Sequence, residues 1–224
     1  GADTVRIAVD KGALEIAGTI DASGVSAGHI ALFARDDVNL LSTGKLLAVA
    51  SGAGKQGGDI EIGTADGSLN LAADSRVDLT SGAGGQGGTL RLRAPRMGND
   101  VAVTALKGDI AGAASILVEA TKVYEGITTL NASGTSSGST LTLATINADN
   151  ADFATHYADI KTSLGALAAT PAFHLLSGVE VRSAGDLTLA QDWNLKDSRA
   201  GGETGVLTLR ATGSLKINAN LSDG

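Results

Sequence analysis

The chain has 224 residues, of which 43% are hydrophobic, so it is long enough to bury a continuous core in one sizeable domain or two small ones. Its net charge of −7 is scattered along the chain, so neither nucleic acid nor an anionic membrane surface is an implied partner. The absence of cysteine excludes disulfides, thiolate zinc sites and cysteine nucleophiles, and no apolar run is long enough for a transmembrane segment.

Three glycines, each at an interval of thirty residues from the next, precede short alternating segments. Gly28, Gly58 and Gly88 are followed by HIALFA, DIEIGT and TLRLRA, in which apolar and polar residues alternate with period two. A fixed period of this size is typical of repeat architectures, so we expect the three glycines to be structural corners. The apolar positions that coincide between the segments are the expected stacked core: Ile30, Ile60, Leu90, Leu32, Ile62 and Leu92.

The residues just before two of these segments match the dinucleotide-binding spacing G-x-G-x-x-G, at 52–57 and at 82–87. That fingerprint binds a pyrophosphate when it lies between a strand and a helix, because the helix N-terminus supplies free N–H groups and a positive dipole end. Here a strand pattern follows both copies. The sequence therefore predicts no nucleotide site and no cofactor.

Two further short strand patterns follow within each repeat, for example SLNLAA and RVDLTS after DIEIGT. Three strands per repeat, joined by Gly, Asp, Asn and Ser corners, predict an all-β chain that forms a right-handed parallel β-helix (β-solenoid) with about 30 residues per coil. A β-propeller ranks second, since its blades need about 40 residues and antiparallel hairpins. The coils are expected over residues 1–146 and again over 176–224.

Residues 147–175 interrupt the strand pattern with apolar residues at helical spacing. We expect one inserted amphipathic helix here, with Asn150 as its N-cap, packed on the side of the solenoid. The expected docking face consists of Phe153, Tyr157, Ile160, Leu164 and Leu167.

Acidic residues and one histidine fall on the opposite face of this expected helix. Asp152, His156 and Asp159, preceded by Asp149, have side chains that could bind a divalent metal if they line up on one face. The alternative is a solvated acidic face with a neutral histidine. Since the spacing does not define a closed ligand geometry, no metal site is predicted.

Residues suited to polysaccharide chemistry are scattered along the chain. His29, His156 and His174 lack a neighbouring nucleophile or zinc-protease motif, so no catalytic residues are predicted and the chain is not expected to be an enzyme. Trp193 continues a strand alternation and is expected to be buried, with an exposed sugar-stacking platform as the alternative. A polysaccharide-binding or polysaccharide-cleaving β-helix would be favoured if Asp37, Arg91 and Trp193 shared one open groove.

Four segments carry a resemblance to a known family: GGTLRLRAPR (87–96), KVYEG (122–126), HLLSGVEVRSAGDLTLAQDWNL (174–195) and GVLTLRATGSLKINANLSDG (205–224). They look like the interior region of filamentous-haemagglutinin-like exoproteins, which bacteria export by two-partner secretion. The resemblance implies a long β-helix on the surface of a Gram-negative cell, secreted through an outer-membrane partner, with roles in adhesion, aggregation or toxin delivery. The family's secretion domain with its N-P-N-G signature is absent, so we expect an internal region of such a protein.

The expected function is therefore that of a structural and adhesive shaft segment in a large secreted or cell-surface bacterial exoprotein. Its expected partners are the outer-membrane secretion partner of the full-length protein and a glycan or protein on host or bacterial cells. A segment that serves only as a spacer is the remaining alternative.

Overall fold

The computed structural model describes residues 4–131 and 136–224, apart from the side chains of Ala105 and Asp197. The strands are β1 (Thr4–Val9), β2 (Leu14–Ile16), β3 (Thr19–Asp21), β4 (His29–Ala34), β5 (Val38–Leu40), β6 (Lys45–Leu47), β7 (Asp59–Thr64), β8 (Leu69–Leu71), β9 (Arg76–Asp78), β10 (Gly88–Met97), β11 (Asp100–Val101), β12 (Val103–Leu106), β13 (Asp109–Ala111), β14 (Ala113–Tyr124), β15 (Thr129–Asn131), β16 (Thr140–Thr142), β17 (Phe173–Ser183), β18 (Leu187–Leu189), β19 (Trp193–Asn194), β20 (Val206–Ala211), β21 (Leu215–Ile217) and β22 (Leu221–Ser222). The helices are α1 (Leu143–Thr155) and α2 (Tyr157–Ser163), with 3₁₀ turns at Ala166–Ala169 and Leu195–Ser198.

The chain forms two compact units. Unit 1 consists of Gly1–Met97, Val101–Glu119 and Lys161–Leu175, and unit 2 consists of Gly98–Asp100, Ala120–Ile160 and Leu176–Gly224. Strands β14 and β17 therefore have residues in both units. The predicted division into 1–146, 147–175 and 176–224 stays a prediction.

Unit 1 is built from parallel strands that pair with the equivalent strand one repeat later. The first set pairs in the order β1-β4-β7-β10, the second in the order β2-β5-β8-β12 and the third in the order β3-β6-β9-β13. In the first set, Ile60 lies opposite both Ile30 and Leu90. Side chains at equivalent positions therefore lie on the same face of the sheet, roughly 4.8 Å from one strand to the next.

The core of unit 1 contains the six apolar side chains named above as the expected stacked core. Each of them is at most 1% exposed. The residues between them, such as Glu61 and Arg91, lie on the other face because successive side chains in a strand point to opposite sides. Burying each of the six side chains stabilises the sheet by about 1.5–3 kcal/mol.

The glycines expected at corners lie at the starts of successive strands. Gly28 and Gly58 directly precede β4 and β7, and Gly88 is the first residue of β10. A Cβ atom on Gly58 would lie 2.2 Å from the carbonyl oxygen of Gly28, and one on Gly88 would lie 1.9 Å from that of Gly58. Positions 58 and 88 require glycine because the backbones of neighbouring repeats come too close there for any side chain.

Unit 2 has its own sheets and core. Strand β17 pairs with β20, which places Val179 opposite Leu207 and Val181 opposite Leu209. A second sheet has the order β16-β15-β18-β21, and β19 pairs with β22. The buried core of this unit comprises Ile127, Leu130, Leu141, Leu143, Ile146, Val179, Val181, Leu187, Leu189 and Trp193.

The helical segment begins earlier than the sequence predicts. The first helix starts at Leu143, and the Oγ1 atom of Thr142 accepts a hydrogen bond from the N–H of Thr145 at 3.2 Å, so Thr142 is the N-cap. Asn150 lies inside α1, buried, where its Oδ1 accepts a hydrogen bond from the Ser177 hydroxyl at 3.1 Å. The prediction that Asn150 caps the helix is wrong. The residues before Asn150 follow an apolar pattern that suits a strand and a helix equally well, so the pattern does not reveal that the helix begins earlier.

The predicted fold class is also wrong. Strands account for 48% and helices for 13% of the structure, and the parallel strands form one long sheet and several short ones, which is an α/β-type arrangement and not a clear β-helix. The second and third strand sets of unit 1 have β12 and β13 as their last strands, which end at Leu106 and Ala111. The order β16-β15-β18-β21 in unit 2 does not follow the order of the chain, unlike the order of the sets in unit 1. The physical reason for the wrong prediction is that the strict thirty-residue pattern covers only the first part of the chain. In addition, the segment expected to form a single helix forms two helices and a 3₁₀ turn.

The surface of unit 1 carries an ion-pair cluster on β9 and β13. Arg76 binds the carboxylate of Asp78 at 2.6 Å and also that of Asp109, which lies opposite it on the neighbouring strand. Burial by itself raises the pKa of Asp78, but hydrogen bonds from Thr80 and Arg76 outweigh it, so the pKa lies below the ordinary value of 3.8.

We expect Asp78→Asn to reduce the acid sensitivity of folding. Because the pKa of Asp78 is lower in the folded state, its contribution to stability is complete above the ordinary Asp pKa and is lost as the pH falls through the lowered value. Urea unfolding from neutral pH to about pH 2 should show the gap between wild type and variant closing in the acid range. Glu61→Gln, on the exposed face of β7, is the control; a gap for Asp78→Asn that stays constant with pH would contradict the prediction.

Candidate ligand-binding cleft

The two G-x-G-x-x-G segments lie in neighbouring connections between strands. Residues 48–58 connect β6 to β7, and residues 79–87 connect β9 to β10. Four backbone hydrogen bonds join the two connections: Ala50 N–H to Thr80 O at 2.9 Å, Gly54 N–H to Ala83 O at 2.8 Å, Gly57 N–H to Gln86 O at 2.9 Å, and Gly82 N–H to Lys55 O at 3.0 Å. The motif therefore repeats because the two connections pair with each other.

Close backbone approach explains the glycines of the motif. A Cβ atom on Gly82 would lie 1.7 Å from the carbonyl oxygen of Gly52, and one on Gly57 would lie 1.9 Å from that of Leu79. The middle glycine of the first copy, Gly54, has a φ angle of +71°, which favours glycine. Strands β7 and β10 follow the two copies, so the helix that a dinucleotide site needs does not follow either of them.

A cleft arises where the first of these connections meets a shorter one. Seven residues, 22–28, connect β3 to β4, whereas eleven residues, 48–58, connect β6 to β7. The shorter connection pairs with the first part of the longer one and with the first residue of β7: Gly24 N–H donates to Val49 O at 3.0 Å, Ser51 N–H to Gly24 O at 2.8 Å, Gly52 N–H to Val25 O at 2.9 Å, and Asp59 N–H to Gly28 O at 3.3 Å. The middle of the longer connection is uncovered on this side, and a cleft of about 550 Å³ remains.

The cleft is bounded by residues 26–29 and 54–59 and is lined by polar side chains and glycines. Its polar side chains are those of Ser26, His29, Lys55, Gln56 and Asp59. Ala27 contributes the only apolar side chain of the lining, and the remaining lining residues are glycines. His29 and Asp59 lie opposite each other at the starts of β4 and β7, so their Cα atoms are neighbours across the sheet.

The backbone of the cleft offers hydrogen-bonding groups as well. In the part of the chain that the structure describes, the N–H of Gln56 and the carbonyl oxygens of Gly54 and Gln56 have no protein partner. One edge of this connection is thus paired with residues 79–87, while these three backbone groups make no hydrogen bond within the described residues.

Comparisons with known proteins do not assign this cleft. No protein-family model, curated protein or solved structure matches the chain. Within residues 4–131 and 136–224, none of the helices has the length and apolar character needed to cross a membrane.

The candidate metal ligands are not assembled into a site. The first helix ends before His156, whose Nδ1 lies 2.9 Å from the backbone oxygen of Asp152, and Asp159 belongs to the next helix. The carboxylate of Asp149 accepts a hydrogen bond from the Tyr124 hydroxyl at 2.5 Å. Among the described residues, no group of three or more acidic or histidine side chains is placed to hold a metal ion.

The residues of the expected docking face differ in burial. Phe153, Ile160 and Leu164 are buried, whereas Tyr157 and Leu167 are half-buried. They are spread over α1, α2, the residue after α2 and the following 3₁₀ turn, so they do not form the face of one continuous helix.

The three residues that would favour a polysaccharide groove do not form one. Trp193 is 2% exposed within the core of unit 2, so it is not a sugar-stacking platform. The carboxylate of Asp37 accepts hydrogen bonds from the backbone N–H and the hydroxyl of Ser68, at 2.7 and 3.0 Å, which holds the turn before β8. Arg91 lies on β10 opposite Glu61. An open groove shared by Asp37, Arg91 and Trp193 is excluded because Trp193 is buried.

Sequence reasoning missed the cleft because it aligned the repeats on their glycines. Gly28 and Gly58 are separated by the same interval as Gly58 and Gly88, which hides the unequal lengths of the connections before them. The signal that could have revealed the cleft is the distance from the last strand of each repeat to its glycine, since that distance differs between the first two repeats. His29 lines the cleft, while His174 is half-buried on β17.

Proposed function

We propose that the chain is a structural and adhesive segment of a large secreted or cell-surface protein of a Gram-negative bacterium, and that it is not an enzyme. The observation that carries the proposal is the open cleft, lined by polar side chains and glycines, on a framework of in-register parallel strands. The resemblance of four segments to filamentous-haemagglutinin-like exoproteins supports the cell-surface location and an outer-membrane secretion partner for the full-length protein.

The framework suits a presenting role. The six buried apolar side chains of the first strand set and the hydrogen bonds between the connections hold the cleft walls in place. A binding surface held in this way loses little conformational freedom when a ligand binds. An adhesive segment benefits from such rigidity because its contact surface is formed before the partner arrives.

Polysaccharide cleavage is the second candidate, because Ser26, His29 and Asp59 all line the cleft. Nucleophilic catalysis needs a base hydrogen-bonded to the nucleophile and to a third group that orients the base. His29 makes no hydrogen bond to Ser26 or Asp59 in the described part of the chain. This arrangement supports binding over cleavage.

The proposal can be tested with beads coated with the purified chain. We expect the coated beads to adhere to epithelial cells or to bacterial cells, and we expect polysaccharides incubated with the protein to release no new reducing ends. Beads coated with heat-unfolded protein are the control for nonspecific adhesion. Failure of the folded protein to adhere to either cell type would contradict the adhesive role, and release of reducing ends would favour the enzymatic candidate.

A further inference from the structure

We propose that the cleft bounded by residues 26–29 and 54–59 binds a neutral carbohydrate through its hydroxyl groups. This inference rests on the proposed adhesive function and names the ligand class of the same cleft. It is carried by the charge, the hydrogen-bonding groups and the dimensions of the cleft.

The charge of the cleft favours a neutral ligand. Lys55 supplies one positive charge and Asp59 one negative charge, so these two fixed charges of the lining cancel. A phosphate or sulfate group in the cleft would be repelled by the Asp59 carboxylate. The cleft also lacks a helix N-terminus, which commonly binds anions. A neutral polyhydroxylated molecule avoids this repulsion.

The hydrogen-bonding groups of the cleft match hydroxyl groups. The side chains of Ser26, His29 and Gln56 each offer both a donor and an acceptor, Lys55 donates and Asp59 accepts. The free N–H and C=O of Gln56 add a further donor and acceptor from the backbone. A sugar hydroxyl both donates and accepts, so neighbouring hydroxyls of one ring can pair with this mixed set.

The shape and the lining argue against an extended peptide as the ligand. Ala27 is the only apolar side chain of the lining, so the cleft has no pocket for the aromatic or aliphatic anchors that dominate protein interfaces. The positive φ angle of Gly54 also departs from the extended backbone that an added strand would need for regular pairing. The volume of about 550 Å³ lies within the range of small-molecule sites, roughly 300–1,000 Å³.

The second copy of the motif provides a matched control. Gln56 and Gln86 occupy equivalent positions in G-x-G-x-x-G and both are exposed, but only Gln56 lines the cleft. Gln56→Ala should therefore impair binding while Gln86→Ala does not. Ser26→Trp, at an exposed position of the cleft wall, fills the cleft without disturbing the core.

The test is binding of the purified chain to an array of neutral oligosaccharides of glucose, galactose, mannose and N-acetylglucosamine, with sulfated and sialylated glycans as anionic probes. The strongest neutral probe is then titrated by calorimetry. We expect both cleft variants to weaken binding about tenfold or more, as the loss of directed hydrogen bonds or of the cleft volume implies, and Gln86→Ala to stay within about twofold.

Three results would overturn the inference: binding of anionic probes alone, neutral binding that the cleft variants leave unchanged, or no binding at millimolar probe concentration by protein whose circular dichroism shows it to be folded. The bead assay separates this inference from the proposed function. If both cleft variants still adhere to cells, the adhesive function stands but does not depend on the cleft. If the wild-type protein does not adhere, the proposed function itself is contradicted.

Discussion

Gly82→Ala is expected to destabilise unit 1 by about 3 kcal/mol or more, at the upper end of the usual cost of forcing extra atoms into a packed site. The new Cβ atom would lie 1.7 Å from the carbonyl oxygen of Gly52 and 2.6 Å from its carbonyl carbon, so backbone and not a flexible side chain would have to move. Gly52 itself is held in place by two hydrogen bonds: its N–H donates to the carbonyl oxygen of Val25, and its carbonyl oxygen accepts from the N–H of Lys55. Urea unfolding followed by circular dichroism measures the loss.

Gly18→Ala is the matched control for this prediction. No atom lies within 4 Å of a Cβ at Gly18, and its backbone is not in the positive-φ region. Alanine there should leave stability unchanged or raise it by about 0.4–1 kcal/mol, since it restricts the unfolded chain. Equal stabilities of Gly82→Ala and Gly18→Ala would show that the connections are not packed as closely as described.

Arg182→Met is expected to destabilise unit 2 by about 3–5 kcal/mol, because it deprives a buried carboxylate of its nearest cation. The side chain of Glu180 is completely buried, and its Oε1 lies 2.9 Å from Nε of Arg182 and 3.5 Å from Nη1 of Arg210. The hydrogen bond to Glu180 raises the pKa of Arg182, which is the expected effect of a pairing with a carboxylate. Chemical unfolding at neutral pH measures the change.

Two further variants identify the cause. In Arg182→Met/Glu180→Gln the buried charge is absent, so we expect the double variant to be more stable than Arg182→Met alone. Lys216→Met breaks an ion pair with Asp186 in which both side chains are 54% exposed, so solvent screens the pair and its loss should cost much less stability than Arg182→Met. If Arg182→Met costs no more than Lys216→Met, the remaining partners of Glu180 are sufficient to stabilise its charge.

Sequence patterns located the strands of unit 1 because burial leaves a regular trace. Ile30, Ile60 and Leu90 lie opposite one another on adjacent strands, as their common spacing from the glycines indicates. The same reasoning overextended the repeat into a β-helix. In LTLATI, Leu141 belongs to a strand while Leu143 and Ile146 belong to a helix, and a short apolar run of this kind does not distinguish the two periods.

The candidate site was less predictable because it depends on differences between repeats. The proposed alignment of Asp152, His156 and Asp159 assumed one continuous helix, but α1 ends at Thr155 and α2 begins at Tyr157. The cleft requires both the short connection 22–28 and the long connection 48–58, whose contact is set by hydrogen bonds between residues far apart in sequence. A pattern of hydrophobicity carries no information about such pairing.

The register of unit 1 has a consequence for how this protein can change in evolution. Asp59 lies opposite both His29 and Thr89, so a genetic deletion of residues 59–88 would join Gly58 to Thr89 and set Leu90 opposite Ile30. A tandem duplication of the same segment would add one more strand to the first strand set, with its two buried apolar side chains in the same register. Recombination between the near-identical glycine segments can thus lengthen or shorten the protein by a whole repeat while the pairing pattern of the core persists.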